Sequence, residues 1–232
     1  KSQFFQEGTD AICGYDYIEK NLIFELKTNR IHQMSKNRNL SFDNCEINHL
    51  HHSPYDDSFI FIYRNKNYKG YSELYHYNYK TDNLLRLYSG KMFSHYCWIN
   101  KSAVFGYLDH KGIPGFFEID FKNNNSIIFS KNILNQSLDN TGDGHPSVSG
   151  DNKWIIYDSY PDKARQSHLY LIRNNNKTEK LLIGKFLSPL KFNGYNRCDL
   201  HPRWSPDGKF ISIDSGYDGS RKSYLINVSK II

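Results

Sequence analysis

Long apolar runs are missing from this chain of 232 residues. No stretch approaches the roughly 18 residues that a membrane-crossing helix needs, so no membrane span is expected. Helical periodicity is nearly absent, which argues against bundles and alternating strand–helix units. Cysteine is sparse: Cys13, Cys45, Cys97 and Cys198 stand far apart and form no Cys-x-x-Cys. That excludes zinc-finger spacing, argues against a disulfide framework, and slightly favours a reducing, cytoplasmic setting. The chain opens on Lys1 without Met or a signal-like segment. The reading therefore expects a natural N-terminus further upstream and keeps a periplasmic or secreted location open. Blocks of basic residues are also missing. Lys and Arg total 30 against 24 Asp and Glu, but they are scattered. No nucleic-acid partner is expected, and an anionic ligand remains compatible.

What the chain has in abundance is aromatic and turn-forming residues. Aromatics make up 16%, with 18 Tyr and 15 Phe. Short runs such as Ser58–Arg64 and Tyr71–Lys80 alternate between apolar and polar residues and are bounded by Asn, Asp and Gly. This is the signature of half-buried strands joined by tight turns. Residues 132–140 are polar enough to read as a loop.

The strands come in repeats. Two segments, DGHPSVSGDNKWIIYDS from Asp143 and LHPRWSPDGKFISIDS from Leu200, share His-Pro, then Ser, an Asp-bearing turn and an alternating run ending in Asp-Ser. Related units begin near His49 and His95. The spacings between His49, His95, His145 and His201 are 46, 50 and 56 residues, near the period of a four-stranded propeller blade. The expected fold is all-β: a β-propeller of four-stranded antiparallel blades in one domain over 1–232. A partial blade covers 8–40. Blades then cover about 45–90, 91–131, 141–185 and 196–232. Four units and a partial one leave a ring unclosed, so the chain is expected to be the C-terminal part of a larger propeller, the alternative being a five-bladed ring completed by the N-terminal segment.

Equivalent blade-start positions converge on one mouth of a propeller, so the four histidines are expected to share a cavity. His145, Cys198 and His201, with Asp199 as a further ligand, offer a metal site. Thiolate with imidazole favours zinc over magnesium or calcium. The alternative is that the histidines close blades through hydrogen bonds and Cys198 is a small buried apolar residue. Trp98, Trp154 and Trp204 recur at matching places and read as packing between blades.

The segments NHLHHSP, SHYCW, DGHPSVSGDNKWIIYDSYPD and RCDLHPRWSPDGK together resemble the seven-bladed propeller polysaccharide lyases, that is, the oligogalacturonate lyases and ulvan-lyase-like proteins. The resemblance runs from about Asn48 to the C-terminus and implies that the larger ring is seven-bladed. It implies cleavage of an acidic oligo- or polysaccharide by β-elimination. It also implies a divalent metal, with zinc favoured and manganese the alternative. His95, in a His-x-x-Trp segment, is the implied base. His49 is a second candidate and Tyr96 a proton donor or base. A uronate carboxylate must be neutralised for its neighbouring carbon to lose a proton. Arg64 and Arg165 are the candidates for that task, with Arg197, Arg203 and Arg221 as alternatives, and Tyr160, Arg165 and Arg221 are candidates for substrate contacts. The family tends to carry His-Arg where this chain has Tyr63-Arg64. A non-catalytic propeller that binds a glycan or a protein is the alternative function. Oligomeric state is not legible in the sequence.

Overall fold

A computed structural model of the protein describes residues 3–4, 11–36, 39, 45–65, 71–123, 126–131, 142–177 and 180–232. The polar stretch 132–140 lies outside them. The described chain divides into two compact units, 1–52 with 57–91 and 53–56 with 92–232. Among the described residues no helix is long and apolar enough to cross a membrane.

The first unit holds two antiparallel sheets. One is formed by β1 (Gln3–Phe4), β2 (Ala11–Asp16) and β3 (Asn21–Lys27). A short helix, α1 (Thr28–Met34), continues directly from β3 and buries Ile31. The apolar alternating run that begins at Leu22 thus ends as a strand at Lys27, and Thr28 and Asn29 already belong to the helix. The second sheet is a four-stranded meander: β4 (Cys45–His52), β5 (Ser58–Asn65), β6 (Ser72–Asn78) and β7 (Asn83–Gly90). Phe59, Phe61, Tyr75 and Tyr77 from this sheet join Ile12, Phe24 and Leu26 in one core. Tyr63 belongs to the same core, and its hydroxyl meets His32 Nδ1 at 2.7 Å.

The second unit holds three sheets. The first is β8 (Phe93–Asn100), β9 (Ala103–His110), β10 (Ile113–Asn123) and β11 (Ser126–Lys131). The next is β12 (Ser147–Val148), β13 (Trp154–Asp158), β14 (Gln166–Arg173) and β15 (Lys180–Leu187). The last is three-stranded: β16 (Arg203–Trp204), β17 (Phe210–Ser215) and β18 (Lys222–Asn227). The turns form as the Asn and Asp residues dictate. Asn78 Oδ1 accepts from Lys80 N and Thr81 N, and Asp151 and Asp207 accept from Lys153 N and Lys209 N. These side-chain caps mimic backbone turns and release each strand into the next.

Apolar faces of neighbouring sheets meet in two clusters. Phe105, Phe116, Ile155, Tyr157 and Tyr170 form one, with Phe116 and Tyr157 5.0 Å apart between ring centres. Ile156, Leu169, Leu171, Leu200, Ile211 and Ile213 form the other. Each fully buried Ile, Leu or Phe contributes roughly 1.5–3 kcal/mol. Trp154 and Trp204 pack against the second cluster, and the Trp204 indole N–H donates to Ser147 O at 3.1 Å, tying the last two sheets together. Trp98 is buried against Phe121 within its own sheet. Trp154 is half-buried beneath the Arg173 guanidinium.

Candidate functional site

Three of the four repeated histidines come together within the second unit. The His95 and His145 ring centres are 4.0 Å apart, and those of His145 and His201 are 3.7 Å apart. His49 belongs to the first unit, on β4. The local backbone explains why these positions recur. The pairing register shifts between Asn48 and His51 in β4, and between Phe93 and Tyr96 in β8. His49 and His95 thus sit in β-bulges, which re-aim a side chain out of the regular pleat. His49 and His201 also share a left-handed backbone, with φ of 53° and 42°. Such a conformation is uncommon for a residue with a side chain and is tolerated best by Asn, Asp and His.

Each of the first two histidines is held by a carboxylate. His95 Nδ1 lies 3.2 Å from Asp143 Oδ1 and 3.0 Å from Ser94 Oγ, and Ser94 Oγ also donates to Asp143 Oδ2. A carboxylate oxygen accepts, so this contact places a proton on His95 Nδ1. His145 Nδ1 lies 3.0 and 3.1 Å from the two oxygens of Asp158. The same carboxylate accepts from the backbone N–H of His145 and, at 3.0 Å, from that of His201. The Asp158 side chain is only 1% exposed. Burial opposes its charge, but the His145 ring and the two backbone N–H groups outweigh that and hold its carboxyl below the usual range. Asp158 therefore fixes two histidines from two sheets. His201 itself is pushed below the usual imidazole range by burial and by the nearby His145, so its neutral form is favoured.

Gly144 makes this arrangement possible. A Cβ there would lie 1.8 Å from the Asp158 carbonyl oxygen. Gly144→Ala is expected to cost about 2 kcal/mol or more, because backbone must move. A thermal melt showing no loss of stability would contradict the close approach.

The ligand-capable atoms of His145, Asp199 and His201 lie within 4.8 Å of one another. One Asp199 oxygen, Oδ2, accepts from Arg197 Nε at 2.8 Å. The other, Oδ1, is buried and has no partner. Cys198 is not part of this group. Residues 198–201 alternate, with Cys198 and Leu200 buried in the protein and Asp199 and His201 half-buried on the site side. The candidate ligand group therefore offers Asp-x-His with His145, a set of imidazole and carboxylate donors without thiolate.

Tyr160 closes the cluster, with its ring centre 6.2 Å from that of His95 and 5.8 Å from that of His145. Burial, reinforced by Asp143, pushes its phenol up to about 12. The Arg197 guanidinium stacks on the Tyr160 ring at 4.6 Å and donates to its hydroxyl at 3.5 Å. The neighbouring phenol expected from the sequence was that of Tyr96. Instead Tyr96 is buried on β8, where it packs against Phe93 and Gly106.

Of the other expected arginines, Arg165 donates from Nε to Ser188 O and from one terminal nitrogen to Ser188 Oγ, bracing its own turn. Arg64 lies on β5 in the first unit, paired across the sheet with Glu46. Arg221 is exposed in the turn between β17 and β18. Sequence reasoning missed Asp143 and Asp158 as site residues. His168, on β14, is buried beside Ser159, whose hydroxyl accepts from its backbone N–H.

No family model matches the chain, and no curated protein matches it. Solved structures do. TolB from Acinetobacter baumannii matches over 97% of this chain and 54% of its own, at 13% identity and a TM-score of 0.51. The chain thus spans about half the length of that TolB. An oligogalacturonate lyase in complex with manganese matches over 97% of this chain and 76% of its own, at 11% identity and a TM-score of 0.53. A calcium-binding protein, regucalcin, from Agrobacterium tumefaciens matches over 94% and 69%, at 10% identity and 0.54. At such identities the likeness establishes the fold alone: all-β, of the β-propeller type, with four-stranded antiparallel sheets.

Proposed function

We propose that the protein is a lyase that cleaves a uronate-containing glycan by β-elimination. The observation that carries this reading is the Asp143-backed His95, in ring contact with His145 and beside Tyr160. It supplies a base and a protonated phenol on either side of a polar cluster. In the reaction His95 Nε2 takes the proton from C5, next to the carboxylate. The C5–H electron pair becomes the C4–C5 double bond as the C4–O4 bond breaks. Tyr160 then protonates the leaving O4. With its phenol held high, Tyr160 is a donor and not a base near neutral pH. The manganese-bound oligogalacturonate lyase of similar fold supports the substrate class at the level of fold only.

His145, His201 and Asp199 would hold a divalent transition ion. An unpartnered buried carboxylate oxygen and an imidazole favoured in its neutral form suit such an ion. When bound, it would help to withdraw charge from the substrate carboxylate. Elemental analysis of purified protein should find zinc or manganese. Asp199→Ala and His201→Ala should lose it, and Cys198→Ala should retain it. Absence of both metals from the wild type, or loss with Cys198→Ala, would remove the site.

The function itself is tested by incubating the protein with a panel of uronate glycans and following the ultraviolet absorbance of the unsaturated product. A protein that binds these glycans without forming that product would be a non-catalytic binding propeller.

A further inference from the structure

Arg197 stands between the metal-type cluster and Tyr160, and no step above uses it. Its side chain is 48% exposed, so solvent and ligands reach it, while the Asp199 side chain it bonds is only 8% exposed. Two contacts fix its orientation: the Asp199 Oδ2 bond at 2.8 Å and the stack on Tyr160 at 4.6 Å. A guanidinium carries five N–H donors in a planar fork. The bond to Asp199 uses Nε, and that to the Tyr160 hydroxyl uses one terminal nitrogen. Donors of the fork remain for a carboxylate, the partner this geometry matches best. Asp199 occupies Nε and one side of the guanidinium, and the exposed remainder of the fork still offers N–H donors. Of the other arginine candidates in the second unit, Arg165 is bound to Ser188 and Arg221 is exposed in the turn between β17 and β18.

We infer that Arg197 receives the substrate carboxylate and so restricts the site to uronates carrying a free acid. The inference rests on the lyase reading for its substrate class. A carboxylate held there lies against the Tyr160 hydroxyl, on the side of the cluster where His95 and His145 flank the same phenol ring. Esterification removes the charge and one acceptor, so a methyl ester loses most of the attraction.

The test is binding, read by NMR titration with four probes: glucuronate, galacturonate and their methyl esters. The wild type should prefer the free acids by roughly tenfold or more, as a charge-assisted bond implies. Arg197→Ala should bring that ratio close to one, and Arg197→Lys should restore part of it. A purely structural Arg197 would lower all four affinities together and leave the ratio unchanged. Failure of the wild type to bind any probe, equal affinity for acid and ester, or a preference that survives in Arg197→Ala would each overturn the inference. Acid preference lost with Arg197 in a protein that never forms unsaturated product would sink the lyase reading and leave this one standing.

Discussion

His95→Ala is expected to lower the rate of elimination by about a hundredfold or more, with the melting temperature little changed. A positioned general base typically contributes roughly 10²–10⁴-fold. The loss should fall mainly on kcat, because the imidazole acts on the C5 proton and not on the sugar's binding groups. His95 sits in a bulge with its side chain 15% exposed, so its removal opens no apolar cavity. Asp143→Ala should give a smaller loss of the same kind, since Asp143 holds the tautomer and does not touch the substrate. The companion measurement is the initial rate of ultraviolet absorbance increase, with folding checked by circular dichroism. An active His95→Ala would move the base elsewhere.

Asp158→Ala is expected to produce the largest loss of stability, about 3 kcal/mol or more. Three donors converge on this carboxylate: the His145 ring, the His145 backbone N–H and the His201 backbone N–H. Removing it leaves all three in a site that is nearly closed to water. Asp158→Asn should also destabilise, because its amide group offers a donor where donors already point. The loss should come with release of any metal, because both histidines lose their anchor. Chemical denaturation would measure the first effect and elemental analysis the second. A variant of wild-type stability would show that Asp158 does not organise the cluster.

The repeat made much of this legible. Equal places in successive units pointed to strands, turns and the convergence of His95, His145 and His201, because a repeated unit puts equal positions in equal surroundings. Where units diverge, that logic fails. Asp158 and Asp214 both close an Asp-Ser strand end, yet Asp158 is buried under two histidines and Asp214 is exposed and bonded to Ser223. Asp143 was visible only as a turn residue before His-Pro, because its partner His95 lies 48 positions away. Tyr96 and Cys198 are buried next to His95 and Asp199, and the spacing of their motifs does not mark that burial. The bulge at His95 carries no composition signal, since neither Gly nor Pro marks it.

The claim that this site performs elimination is tested most directly by the masses of the products. Purified protein would be incubated with uronate oligosaccharides of defined length, in water enriched in heavy oxygen, and analysed by mass spectrometry. Elimination predicts two fragments whose masses sum to that of the substrate, one of them unsaturated and neither carrying solvent oxygen. Fragments that gain the mass of water with heavy oxygen incorporated, or substrates left intact across the panel, would contradict it.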